Sequence, residues 1–187
     1  MQAIRKLAAI PILVLIYLTN GAATTIEKLS IEKMAGLAHA IVRARCISVS
    51  ARWDRGEIWT FTSFQVSETW KGQAPDDLVV RLLGGSVGSL TSTVAGIPRF
   101  RPNEEVILFL QQTSDGDFTV LSWEQGAFRI GRDRRTGTEM VTEDTATFET
   151  YDPRTHQFSA TGMRDTSLDA LRARVRAAIS QISENEP

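Results

Sequence analysis

Few residues in this chain could do chemistry, and one stretch fits a catalytic pattern. Gly84-Gly85-Ser86-Val87-Gly88 matches the G-x-S-x-G spacing of a hydrolase nucleophile and follows a strand-like run, Leu78 to Leu83. His156 lies downstream as a base, with Asp115, Asp117 and Asp133 between to orient it. A nucleophile elbow must lead directly into a helix, however. Ser89-Leu90-Thr91-Ser92-Thr93-Val94 contains β-branched residues and is stopped by Gly96 and Pro98. The stretch therefore reads as a glycine turn and an adaptable loop, and a hydrolase using Ser86 and His156 stands as the rival reading. The same glycines make no phosphate cradle, because no Gly-Lys-Ser/Thr follows them.

Metal chemistry has little to work with. The only histidines, His39 and His156, are far apart and lack carboxylates at ligand spacing. Cys46 is the one cysteine, so neither a disulfide nor a cysteine-rich zinc site can form, and it reads as a small buried hydrophobe. No cofactor or metal is expected. Arg129, Arg132, Arg134 and Arg135 are offset by Asp133 and Glu139, which makes a solvated hairpin tip the simpler reading than an anion site.

Aromatic residues are the more informative surplus. Trp53 and Trp59 flank the Arg55-Gly56 turn, where neighbours able to bury them are few. Phe64 and Trp70 are assigned to the core. Arg52 is placed to stack across the hairpin on Trp59, a structural alternative to a binding role for that ring. Aromatic side chains also serve as interface anchors. The candidate partner-binding set is thus Trp53, Arg55 and Trp59 at the hairpin tip, with Gly84, Gly85 and Ser86 from the loop.

The elements that position these residues are mostly strands. Ser30 reads as the N-cap of a short helix ending near Ala38, with Leu29 and Met34 as its hydrophobic staple. From Ala40 to Trp53 the alternation changes phase: Val42, Ala44 and Cys46 share one face, and Ile47, Val49 and Ala51 the other. That one-residue slip is what a bulge in a long bent strand produces. The return strand runs from Ile58 to about Thr69, a third from Leu78 to Leu83, and Val106 to Leu110 must be buried on both faces. Phe118 to Trp123, Phe128 to Ile130 and Glu139 to Thr142 are shorter strands, and 143–162 reads as a long loop. Thr166 and Asp169 suit a capping box for a C-terminal helix over about 166–183, with Leu168, Leu171, Val175, Ala178 and Ile182 on one stripe. The expectation is a mostly β, OB-like closed barrel of five to seven strands, with a short N-terminal helix and an amphipathic C-terminal one.

Residues 38–83 also carry a family resemblance. Ala38-His39-Ala40-Ile41-Val42-Arg43-Ala44-Arg45, the Asp54-Arg55-Gly56 turn, the strand Thr62 to Trp70 and the Lys71-Gly72 pair resemble the opening of the netrin-like module, which includes the tissue inhibitors of metalloproteinases. The resemblance implies an exported OB barrel whose second strand ends in a lysine-glycine pair. Those inhibitors hold the protease zinc through a disulfide-fixed N-terminal cysteine. This chain has no counterpart, so only the architecture carries over.

The address is legible at the start. Arg5 and Lys6, the apolar run Leu7 to Leu18 and Ala23 form a secretory signal over residues 1–23. The run is shorter than the ~20 residues a bilayer-spanning helix requires, so no permanent span is expected after cleavage. The remaining 24–187 form one domain. In the full 187 residues, 21 Lys+Arg stand against 22 Asp+Glu, which argues against a nucleic-acid binder. The expected function is an exported, non-catalytic module, periplasmic or extracellular, that recognises a protein or cell-envelope component. An oligosaccharide-binding OB domain is the further alternative.

Overall fold

The computed structural model describes residues 26–143, 150–159 and 162–185. The expected signal over residues 1–23 lies outside them. Ile26–Glu27 (β1) leads into a helix over Ile31–Leu37 (α1). The Ser30 hydroxyl accepts from Lys33 N–H at 3.1 Å, and Leu29 and Met34 join one apolar cluster, as the cap and staple reading expects.

Ala40–Asp54 (β2) and Glu57–Lys71 (β3) form a long hairpin. Arg55 and Gly56 both take left-handed backbone, φ 51° and 86°, the tight turn that suits strand twist. Pairing jumps from Cys46↔Phe64 to Ser48↔Ser63, so the slip foreseen in the pattern is a real irregularity. Its consequence differs from the sequence reading. Ile47 is the looped-out residue, whereas Val49, still partly exposed, and Ala51 line a solvent-open hollow with Thr60, Thr62 and Leu82. The extra residue keeps the apolar set of β2 facing inward past the bend.

Asp77–Leu83 (β4) pairs with β3, and Gly85–Val87 (β5) pairs with Leu90–Ser92 (β6) as a separate small hairpin. Glu105–Gln112 (β7) lies against β2, and Phe118–Val120 (β8) lies against both β7 and β4. A ring of five strands results, in the order β7-β2-β3-β4-β8 and back to β7. Ala127–Arg132 (β9) and Glu139–Glu143 (β10) extend the sheet beyond β7. Thr150–Asp152 (β11) and Gln157–Ser159 (β12) make a hairpin whose β11 runs parallel to β1. Thr166–Ser167 (β13) closes on β10 and feeds the helix Leu168–Asn185 (α2).

Three sequence expectations need correction here. The strand Phe118 to Trp123 stops at Val120, because Ser122 and Trp123 adopt left-handed backbone and start a 3-10 turn over Trp123–Gly126. The supposed loop 143–162 contains β11 and β12, whose pairing partner is far away in the chain. Ser167, rather than Thr166, caps α2: its hydroxyl accepts from Ala170 N–H at 3.2 Å, and it is the residue directly before the helix start at Leu168.

Alternation along β2 and β7 sorts the apolar residues into two cores. Val42, Ala44, Cys46, Phe64, Val106, Leu108 and Leu110 fill the ring. Ile41, Ile107, Phe109 and Phe128 face outward, under α1 and the Leu171–Val175–Ala178 stripe of α2. The run Val106 to Leu110 is fully buried for this reason: it is covered on both faces. Trp70, expected inside, packs on the outer cluster, where its indole donates to Glu68 at 3.1 Å and Arg172 lies over its ring. Arg43 is held by Glu105 at 2.9 Å and Glu139 at 2.8 Å, pinning β2 to its neighbours on that face.

Candidate binding surface at the open end of the ring

Gly84 and Gly85 are required by geometry rather than by catalysis. Both have positive φ, 90° and 135°. A Cβ on Gly84 would sit 2.8 Å from Ser92 O, and one on Gly85 would sit 2.5 Å from Thr60 Oγ1. No side chain fits where the chain turns over the end of β3. Two bonds fasten it there: Gly84 N–H donates to Ile58 O at 2.8 Å, and Thr60 Oγ1 donates to Gly84 O at 2.6 Å. The segment 84–98 thereby forms the rim of a cavity of about 310 Å³ at this end of the ring.

Ser86 does not sit on an elbow. It lies in β5, is exposed, and its hydroxyl pairs with Thr91 Oγ1 at 2.8 Å. A second strand follows it, not a helix. His156 is in the β11–β12 turn with φ 55°, its ring 6.5 Å from that of Tyr151, and neither Asp115 nor Asp117 is bonded to it. Asp133 instead accepts from the N–H groups of Arg135 and Thr136, each at 2.8 Å, inside its own turn. The structure leaves this catalytic set dispersed.

The hairpin tip and the glycine loop do come together. Trp53, Gly56 and Ile58 from one side, and Leu90, Thr91 and Ser92 from the other, line a shared groove. Trp53 is 52% exposed and Leu90 57%, so two large apolar side chains border the same groove in contact with solvent. Arg55 is exposed beside them and ion-paired with Asp115 at 2.8 Å.

Trp59 behaves differently from Trp53. It is half-buried, and the Arg81 guanidinium covers its ring at 3.9 Å. Arg52, expected over Trp59, lies over Phe61 at 3.7 Å instead. Arg81 is therefore the residue that stacks on Trp59, and three aspartates hold it: Asp54 at 2.6 Å, Asp117 at 3.2 Å and Asp115 at 3.9 Å. Each such stacked pair stabilises by about 0.5–2 kcal/mol depending on desolvation. Trp59 is thus largely a wall of the fold, and Trp53 is the exposed one of the two.

Two residues of this surface escaped the sequence reading, Arg81 and Leu90. Each carried a signal. Arg81 is the sole charge in Leu78 to Leu83, and Leu90 is the only large apolar residue in a run of small ones between Gly88 and Thr93. Among the described residues no group of three or more His, Cys, Asp or Glu is placed to hold a metal, and no helix is long and apolar enough to cross a membrane. No protein family, curated protein or solved structure matches this chain.

Proposed function

We propose that the protein is an exported, non-catalytic binding module with an OB-like barrel, which recognises a protein or another cell-envelope component at the open end of its ring. One observation carries this reading. A two-stranded tip presents an exposed tryptophan, and a glycine-rich loop presents an exposed leucine across one groove. Exposed aromatic and aliphatic pairs of this kind are what interface cores are built from. The likeness to the netrin-like module supports the architecture and nothing about inhibition, since no N-terminal cysteine accompanies it.

The test is a pair of truncations read on two scales. Trp53→Ala should weaken binding to the envelope partner by ~2 kcal/mol or more, while Leu90→Ser weakens it less. The melting temperature of Trp53→Ala should stay close to that of the parent, because its ring contributes little to either core. A large fall in melting temperature with unchanged binding would show that the groove is structural.

A further inference from the structure

The small hairpin at the open end of the ring has one bare edge, and that edge borders the Trp53–Leu90 groove. Strands β5 and β6 pair only with each other. The two-residue turn Gly88-Ser89 closes them, so Val87↔Leu90 is the hydrogen-bonded pair. At the next pair, Ser86↔Thr91, the backbone groups point away from the partner strand. The N–H and C=O of Thr91 therefore face outward from β6, and no backbone group among the described residues meets them. Leu90, Thr91 and Ser92 all line the groove and no residue of β5 does, so the groove lies on this bare side. An unpaired donor and acceptor on a strand edge are a template for another chain, and β6, Leu-Thr-Ser, carries no charge or proline to repel one.

Side chains and charge narrow the occupant. Side chains alternate along a strand, so the residues flanking the one paired with Thr91 share the face of Leu90. An apolar residue there fits between Leu90 and Trp53, both exposed. Glu57 is the one charged residue lining the groove. It is exposed and has no ionic partner among the described residues, whereas Asp54 is taken by Arg81 at 2.6 Å and Arg55 by Asp115 at 2.8 Å. We infer that the groove takes an extended segment of a partner polypeptide, added as a strand to β6 at Thr91. An apolar side chain of that segment sits between Trp53 and Leu90, and a lysine or arginine faces Glu57. The assignment rests on the groove being the partner surface, as proposed above, and specifies how the partner enters it.

Two capped heptapeptides, TKTLTKT and TETLTET, separate the terms, since lysine or glutamate shares the face of the leucine in an extended chain. Each is titrated into the full isotope-labelled chain, and the Thr91 backbone N–H signal is followed. The lysine peptide should shift it saturably and bind severalfold more tightly than the glutamate peptide at low salt. Glu57→Lys should reverse that order. Thr91→Pro, tolerated where an edge N–H points outward, removes the donor and should weaken the lysine peptide about fivefold or more. Thr91→Ala loses the same Ser86 contact but keeps the N–H, and should stay within about twofold. No Thr91 shift at millimolar lysine peptide, equal affinities for Thr91→Pro and Thr91→Ala, or an unchanged order in Glu57→Lys would overturn the inference. So would a shift of the Thr91 N–H on concentrating the chain alone, which marks a second copy as the occupant. Loss of the envelope partner in Trp53→Ala but not in Thr91→Pro would keep the groove as the partner surface and overturn strand addition. Retention of the partner in both variants would overturn the groove reading itself.

Discussion

Gly72 should be among the least replaceable residues in the chain. Its φ is +69°, and an added Cβ would lie 1.9 Å from His39 O and 3.2 Å from Ala40 Cα. Next to it, Lys71 Nζ donates to Ala35 O at 2.7 Å, Gly36 O at 3.0 Å and Ala38 O at 2.7 Å, capping the end of α1. The Lys71-Gly72 pair thus fastens the helix to the ring, and the glycine is what lets the end of β3 approach. Gly56 provides the control: its φ is +86° and nothing lies within 4 Å of its Cβ position. Gly56→Ala should cost about 1–2 kcal/mol, the left-handed penalty alone. Gly72→Ala adds a forced displacement of backbone worth about 1–3 kcal/mol more. The expected loss there is ~2–5 kcal/mol, or a fall of about 10 °C in melting temperature for a chain of this size. Urea and thermal denaturation followed by circular dichroism would measure both variants in one buffer. Equal losses for Gly56→Ala and Gly72→Ala would refute the described contact and, with it, the docking of α1 on the ring.

Other outcomes follow from the charges and from the buried thiol. Burial pushes the Glu143 carboxyl up, against the pull of the Met163 N–H and of Lys28. An acid raised in the folded state stabilises it most below the unfolded pKa, and that contribution is lost as pH rises through the folded value. Glu143→Gln should therefore remove a decline in stability between mildly acidic and neutral pH, seen as urea midpoints against pH. Glu105 has the opposite sign: hydrogen bonds from Arg43 and Arg45 hold its carboxyl low, so its contribution is present above the unfolded pKa and lost as pH falls through the lowered value. Arg43→Met should flatten that acid limb. Cys46 is fully buried, and burial together with Glu104 raises its thiol, so a disulfide reagent should modify it orders of magnitude more slowly in the native protein than in denaturant. Ser86→Ala should leave partner binding within about twofold, since its hydroxyl meets only Thr91; esterase or peptidase turnover lost on that change would revive the hydrolase.

What could be read from the residues was whatever local physics decides. The Ser30 cap, the apolar stripe of α2, the Arg55-Gly56 turn and the slip at Cys46–Ile47 all depend on near neighbours in the chain, and all are present. The unbroken Val106 to Leu110 run announced its own double burial. The β11–β12 hairpin was hidden because its pairing with β1 joins residues more than a hundred positions apart, and nothing in a polar, Thr-rich stretch encodes that partner. Trp53 and Trp59 looked equivalent because they are symmetric about one turn. A third strand separates them, since Arg81 of β4 reaches Trp59 and not Trp53. The groove between Trp53 and Leu90 was anticipated as a hairpin tip beside a loop, but its leucine was not, because the loop was read for its glycines.

Site-specific photo-crosslinking tests the binding reading most directly. A benzoylphenylalanine in place of Leu90, in the full-length protein expressed in its own cells, sits in the groove opposite Trp53. Val79, also exposed but on the outer face of β4, is the control position. Ultraviolet light should produce one dominant, identifiable envelope adduct from position 90, none from position 79, and none from position 90 when Trp53 is also replaced by Ala. Equal adducts from both positions, or an adduct at position 90 that survives Trp53→Ala undiminished, would contradict the claim that this groove is where the protein meets its partner.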